Sequence, residues 1–189
     1  MIEPLPEGKF SVILVDPPWA FKTYSAKGMG RSAEKHYPTM TLREIEALRV
    51  DEIAEKDCVL LIWATMPMLP HAMKVIEAWG FKFKTVAFTW MKQRKNAPPM
   101  FTEQANIMQG MGYWTRSNCE LCLLATRGKP KRKSKKVKQA ILAPVREHSR
   151  KPEEIYRRVE ELLAGNYVEL FARARRPGWQ SWGNQLGKF

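Results

Sequence analysis

Residues 16–19 read Asp16-Pro17-Pro18-Trp19 and stand directly after an apolar run, Phe10–Val15. Two consecutive prolines stiffen the backbone, because each ring fixes φ and removes an amide donor. Such a turn holds the Asp16 carboxylate and the Pro17 carbonyl in a fixed relation, with the aromatic plane of Trp19 beside them. Two acceptors next to one aromatic face suit a planar substrate that carries an NH₂ group. The substrate ring stacks on Trp19, and the two amine hydrogens meet Asp16 and the Pro17 carbonyl. The exocyclic amine of adenine is a poor nucleophile, since its lone pair is delocalised into the ring. Acceptors that hold both N–H bonds favour a localised lone pair and stabilise positive charge developing on nitrogen. No histidine base is required before attack, because the proton leaves once nitrogen is alkylated. A proline-stiffened turn carrying a core tryptophan is the plain structural alternative.

The elements that must position this turn follow from hydrophobic periodicity. Phe10–Val15 predicts a buried strand that stops at the prolines, which cannot donate to a ladder. Cys58–Ala64 predicts a second buried strand, and Met68–Trp79 a helix with apolar residues at helical spacing and Gly80 as its stop. Phe83–Met91 and Leu121–Thr126 are further strand candidates. Lys151–Leu163 predicts a helix with Pro152 in its first turn and Glu153 and Glu154 facing the dipole; Tyr167–Phe171 predicts the next strand. Strands separated by helices predict an α/β fold with a mostly parallel sheet and helices on both faces. Ligands in such sheets gather beyond the carboxyl ends of the strands. Phe21–Pro38, Gln93–Tyr113 and Arg127–Lys138 are polar and poorly periodic, and are candidate substrate-gripping loops.

A chain of 189 residues fits one domain, residues 1–189. Its net charge of +13 favours a polyanionic partner, nucleic acid or an acidic membrane surface. Lys129–Lys138 carries seven cations and no acid, about half of that excess, within a basic loop at 127–138. No apolar stretch is long enough for a membrane-spanning helix. The N-terminal MIEPLPEGKF lacks the charged and apolar regions of a signal peptide, and three cysteines cannot all pair within the chain. Both features predict a cytoplasmic protein. Cys119 and Cys122 fall on opposite faces of a strand, which makes them packing residues and not a metal pair.

Asp16–Trp19 combines with later motifs in a specific order. These are Lys35-His-Tyr-Pro-Thr-Met40, Leu61-Ile-Trp63, Cys119-Glu-Leu-Cys122 and His148-Ser-Arg-Lys-Pro-Glu-Glu-Ile-Tyr156. Glu169-Leu-Phe-Ala-Arg173, Gly178-Trp179 and Trp182-Gly-Asn-Gln-Leu186 complete the series. In this order the chain resembles the MT-A70 family of adenine-N6 methyltransferases over nearly its whole length. The resemblance implies a Rossmann-like methyltransferase fold in permuted order, with the catalytic strand first and the strand for S-adenosylmethionine (SAM) last. It implies that Asp16, Pro17, Pro18 and Trp19 form the catalytic motif, and that Asp16 also borders the cofactor. Lys151 matches the lysine that meets the SAM carboxylate; Glu169, Phe171 and Arg173 match the cofactor strand and its exit. Asn184 and Gln185 match the pair that binds the ribose hydroxyls, and Tyr37 a tyrosine over the substrate. The residue types agree, since Lys151 supplies a point charge and the two amides suit a diol.

The departures are equally specific. The upstream Asp and apolar residue that embrace the SAM adenine have no counterpart, so Ile2 to Pro6 or Phe171 are candidates to complete that pocket. Arg175 and Arg176 replace a His-Asn pair. Gly28-Met-Gly-Arg-Ser-Ala33 mimics a dinucleotide fingerprint but follows no strand. The expected reaction is methyl transfer from SAM to adenine N6 in nucleic acid, DNA favoured over RNA. Arg94, Lys95, Lys131, Arg132, Lys133 and Arg175–Arg176 are the expected phosphate contacts, with Trp114 and Tyr113 as candidate stacking residues. Two other readings stay open: an amine methyltransferase acting on cytosine N4 or protein glutamine, and a non-catalytic nucleic-acid-binding subunit. The expected protein partner is a second copy or a related methyltransferase subunit.

Overall fold

The computed structural model describes residues 4–20, 39–95, 107–110, 112, 114–147 and 149–188. Tyr37, Tyr113, His148, Ile2 and residues 28–33 lie outside them. Seven strands form one sheet: β1 (Phe10–Val15), β2 (Ala54–Ala64), β3 (Lys82–Gln93), β4 (Cys119–Arg127), β5 (Ala140–Pro144), β6 (Tyr167–Leu170) and β7 (Trp179–Trp182). Their spatial order is β5-β3-β4-β2-β1-β6-β7. β4 runs antiparallel to both its neighbours, and the other four pairings are parallel. The fold is α/β and Rossmann-like, with the sheet mostly parallel as expected.

Strict alternation divides the central strands between two cores. Ile13, Val15, Leu60 and Ile62 face one side, under α1 (Leu42–Glu46), α2 (Val50–Ile53) and α3 (Leu69–Ala78). Val12, Leu14, Leu61 and Trp63 face the other, where α4 (Glu154–Leu162) contributes Ile155 and Val159. Each helical face thus covers one side of strands that are buried on both. The Trp79 indole N–H donates to the Ile45 carbonyl at 3.1 Å and ties α3 to α1.

Several boundaries differ from the periodicity. β2 begins at Ala54, because a register shift between Phe10 and Val12 lets Lys56 and Asp57 stay exposed while pairing continues. α4 begins at Glu154, so Lys151 precedes the helix instead of opening it. β6 ends at Leu170, and Phe171 adopts a left-handed backbone (φ 62°) as the chain leaves the sheet. The short strands β5 and β7 escaped the periodicity. Both are edge strands, where half-exposed residues blur the alternation. Cys122 is fully buried and Cys119 partly so. Among the described residues no helix is long and apolar enough to cross a membrane.

The chain end is fastened to the β6 exit. Ala172 N–H donates to the Trp182 carbonyl at 2.9 Å, and the amides of Gly187 and Lys188 both donate to the Arg173 carbonyl at 3.1 Å. A Cβ on Gly183 would lie 2.6 Å from the Ala172 carbonyl oxygen, so backbone meets backbone there. Gly183→Ala is expected to cost about 2 kcal/mol through this overpacking. Chemical denaturation measures it, and an unchanged midpoint would show that the turn moves freely.

Candidate active site

Asp16 leaves the carboxyl end of β1 on the α4 side of the sheet, continuing the Val12, Leu14 alternation. The turn after it is held from three directions. Trp19 N–H donates to the Pro17 carbonyl at 2.8 Å, and Met40 N–H donates to the Pro18 carbonyl at 2.9 Å. The Trp19 indole N–H donates to the Trp63 carbonyl at 3.1 Å. Trp19 is only 8% exposed and belongs to the first core. The open stacking face expected of Trp19 is therefore absent here: the ring anchors the turn instead. The Pro17 carbonyl keeps a second lone pair for a substrate donor.

Around Asp16 lies a ladder of buried charges. Lys151 Nζ sits 2.8 Å from both Asp16 oxygens and 3.3 Å from Glu120 Oε2. Lys92 binds the other oxygen of Glu120. The Lys151 side chain is 10% exposed and that of Asp16 18%. Lys151 also lies over the Trp63 ring, 5.6 Å from its centroid. Burial alone would push the Glu120 carboxyl up, but the charges of Lys151 and Lys92 outweigh it and bring the group to about 2. Lys151 thus spends its charge on two carboxylates of this chain, where the resemblance implied a cofactor carboxylate.

A crevice opens beside the ladder, lined by Asp16, Lys151, Glu169, Phe171 and Arg173 together. All five were expected from the sequence. Asn184 and Gln185 do not line it; they follow β7 in the turn fastened to the Arg173 carbonyl, next to its rim. Phe171 meets Trp182 edge-on at 5.3 Å, and the Trp182 indole N–H donates to the Pro4 carbonyl at 2.7 Å. The N-terminal segment therefore packs beside Phe171. Arg94 and Lys95 are exposed just beyond β3, at the same end of the sheet. Trp114 is 93% exposed with φ 69°, in the segment leading into β4.

The residues that brace this crevice include Tyr156, which had no expected role, and Arg176, which was expected at phosphates and instead meets side chains of this chain. Tyr156 on α4 donates its hydroxyl to Glu169 at 3.0 Å, and the Arg176 guanidinium stacks on the Tyr156 ring at 3.7 Å. Arg176, Arg146 and Arg150 converge on Glu153, and Arg146 also donates to the Lys151 carbonyl. Burial pushes the Glu169 carboxyl up to about 7 against the Tyr156 hydrogen bond, with the charge of Asp16 adding to the rise. Glu120 did have a signal: it is the lone acid in an otherwise apolar strand, Cys119–Ala125. An acid at such a position requires a buried cation.

A family model described as MT-A70 matches residues 10–185. The chain belongs to the MT-A70 family. It is 32% identical to the type II methyltransferase M.MunI of Mycoplasma sp, across 96% of this chain and 80% of that protein. It is 30% identical to an Arabidopsis thaliana protein named N(6)-adenosine-methyltransferase MT-A70-like, across 95% of this chain and 24% of that one. Against the Homo sapiens N(6)-adenosine-methyltransferase catalytic subunit METTL3 the identity is 29%, across 95% of this chain and 28% of that protein. MT-A70 methyltransferases depend on SAM. The crevice of this MT-A70 member fits such a cofactor by its donor set. Arg173 offers a charge for a carboxylate, Asp16 and Glu169 offer anions for cationic groups, and Phe171 offers an apolar ring.

Because the Glu120 carboxyl lies below its ordinary 4.5, its stabilising contribution is present above that pH and is lost as pH falls toward 2. Glu120→Gln is expected to lower stability at neutral pH by roughly 3 kcal/mol, since two buried cations lose their shared anion. Urea titrations of both proteins across the acid range check this. The substituted protein should show the shallower loss below pH 4.5.

Proposed function

We propose that this chain transfers the methyl group of SAM to the N6 amine of adenine in nucleic acid, DNA in preference to RNA. The observation that carries the reading is the meeting of the Asp16–Trp19 turn with Glu169, Phe171 and Arg173 in one crevice. Bound SAM supplies a methyl group already activated by its sulfonium. What the chain adds is alignment and acceptors. Asp16, fixed by Lys151, and the Pro17 carbonyl, fixed by the turn, receive the two amine hydrogens. With the amine held so, bound SAM would supply the methyl group as its carbon–sulfur bond breaks, and the proton released from nitrogen would pass to water. Glu169 and Arg173 orient the cofactor, Asn184 and Gln185 hold its ribose hydroxyls, and Lys151 meets the cofactor carboxylate with the charge it also shares with Asp16 and Glu120. Tyr37 covers the substrate, while Arg94 and Lys95 take phosphates at the mouth. DNA is preferred because the chain is 32% identical to the type II methyltransferase M.MunI across 96% of its length.

The whole chain works as one methyltransferase unit in the cytoplasm, paired with a second copy or a related subunit; a light-scattering mass tests the pairing. Asp16→Ala is expected to lower transfer by at least about a hundredfold, because one amine hydrogen then has no acceptor. Labelled SAM offered with duplex DNA, single-stranded DNA and RNA checks both claims. Full activity in the variant, or label that never reaches adenine, removes the proposal.

Glu169 adds a pH signature. Its carboxyl titrates near 7, so the anion that faces the cationic groups of SAM forms as pH rises through that value. SAM affinity should increase several-fold from pH 6 to pH 8, and Glu169→Gln should flatten the profile. Isothermal titration at three pH values decides it.

A further inference from the structure

Lys129–Lys138 was expected to grip phosphates around the adenine pocket, but the fold carries it to the other end of the sheet. Arg127, which precedes it, pairs with Cys58 at the start of the central strands, whereas Val15, before Asp16, pairs with Ile62. Four residues of strand separate those levels, about 13 Å. α4 reports the same separation. Lys151 precedes its first turn, while the Lys133 amide donates to the carbonyl of Leu162, its last residue, at 2.7 Å. Lys131, Arg132 and Lys133 are therefore not brought to Asp16.

Nor is the stretch a loose tail. Gly128 turns the chain with φ 67°, where a Cβ would collide with Asp57 Oδ1 and the Lys56 carbonyl. The Lys129 amide then donates to that Asp57 oxygen at 2.7 Å. Arg158 on α4 binds the carbonyls of Lys138 and Ala140. Backbone anchors at both ends thus hold a segment whose seven basic side chains are all exposed. Lys56, Lys82 and Lys84 are exposed at the same end of the neighbouring strands. The nearby acids are partly committed: Asp57 accepts the Lys129 amide, and Glu161 pairs with Arg157.

Like charges on a fixed segment repel one another, and nothing in the catalytic crevice requires them. We propose that Lys129–Lys138 is a second phosphate-binding surface, which holds nucleic acid flanking the target and not the target nucleotide itself. This rests on the reading of nucleic acid as substrate. Duplex DNA carries a charge every ~1.7 Å of its axis, so a rigid row of cations displaces several counterions at once. A lipid surface fits less well. Val137, the segment's one branched aliphatic side chain, packs against the second core and offers no wedge to a bilayer.

The surface predicts affinity that depends on length. Wild type and a fourfold variant, Lys129→Gln with Lys135→Gln, Lys136→Gln and Lys138→Gln, are compared by fluorescence anisotropy on DNA of about 12 and about 60 nucleotides, at roughly 50–200 mM salt. Wild type should bind the long DNA at least about tenfold tighter than the short, and the variant should lose that advantage with a salt slope smaller by roughly two to four. Methyl transfer to saturating short DNA should be the same in both proteins. Equal weakening on both lengths would return the segment to the pocket and overturn the proposal. So would a surviving length advantage, or a loss confined to vesicles containing phosphatidylserine. Segment-dependent binding of long DNA without label at adenine would sink the methyl-transfer reading alone.

Discussion

The pairing of Lys151 with Asp16 is the constraint from which the site is built. A carboxylate and an ammonium this far from water are tolerable only together, because each alone would lose its hydration uncompensated. One lysine must then satisfy Asp16 at the end of β1 and Glu120 at the start of β4. Lys92 on β3 balances the second acid, so two anions and two cations sum to zero across the sheet. The pairing also explains why α4 starts late. Lys151 has to reach inward across the sheet end, and Arg146 holds its carbonyl while it does so.

α4 links this polar end of the molecule to a different one. Its leading turn carries Glu153 and Tyr156 into the crevice, where three arginines and Glu169 meet them. Its middle supplies Ile155 and Val159 to the core, and its last carbonyls accept the Lys133 amide and ammonium. Cations near a helix C-terminus are favoured by the dipole, which gives Lys133 a structural reason for its place. The helix therefore sets the distance between the acid-lined crevice and the basic segment. A net charge alone could not separate those two regions.

Periodicity located the buried strands well because their residues are apolar on both faces. β1 was found to the residue. It failed where tertiary pairing overrides polarity: Glu55–Asp57 extend β2 despite three charges, and Trp179–Trp182 becomes a strand only by pairing with β6. Trp19 shows a different limit. A tryptophan after two prolines can face a ligand or the core, and only the carbonyl of Trp63 within reach of its indole decides between them. The bracing roles of Tyr156 and Arg176 were invisible for the same reason, since their value lies in meeting Glu169 and Glu153 across gaps in the chain.

The residues that converge on the crevice were implied by the resemblance to the MT-A70 motif order, whereas the sequence's own physics determined where the first strand ends, the α/β alternation and the end of the sheet where ligands gather. Short-range physics suffices for these: prolines end a strand, alternation buries it, and strand ends collect ligands. Only the tertiary structure decided what each charge does. Lys151 and Lys133 are both cations beside polar neighbours in the chain. The fold places one between two buried carboxylates and the other at the far end of the same helix. Electrostatic roles depend on distance through space and on exclusion of water, and neither quantity is written in a linear order of residues.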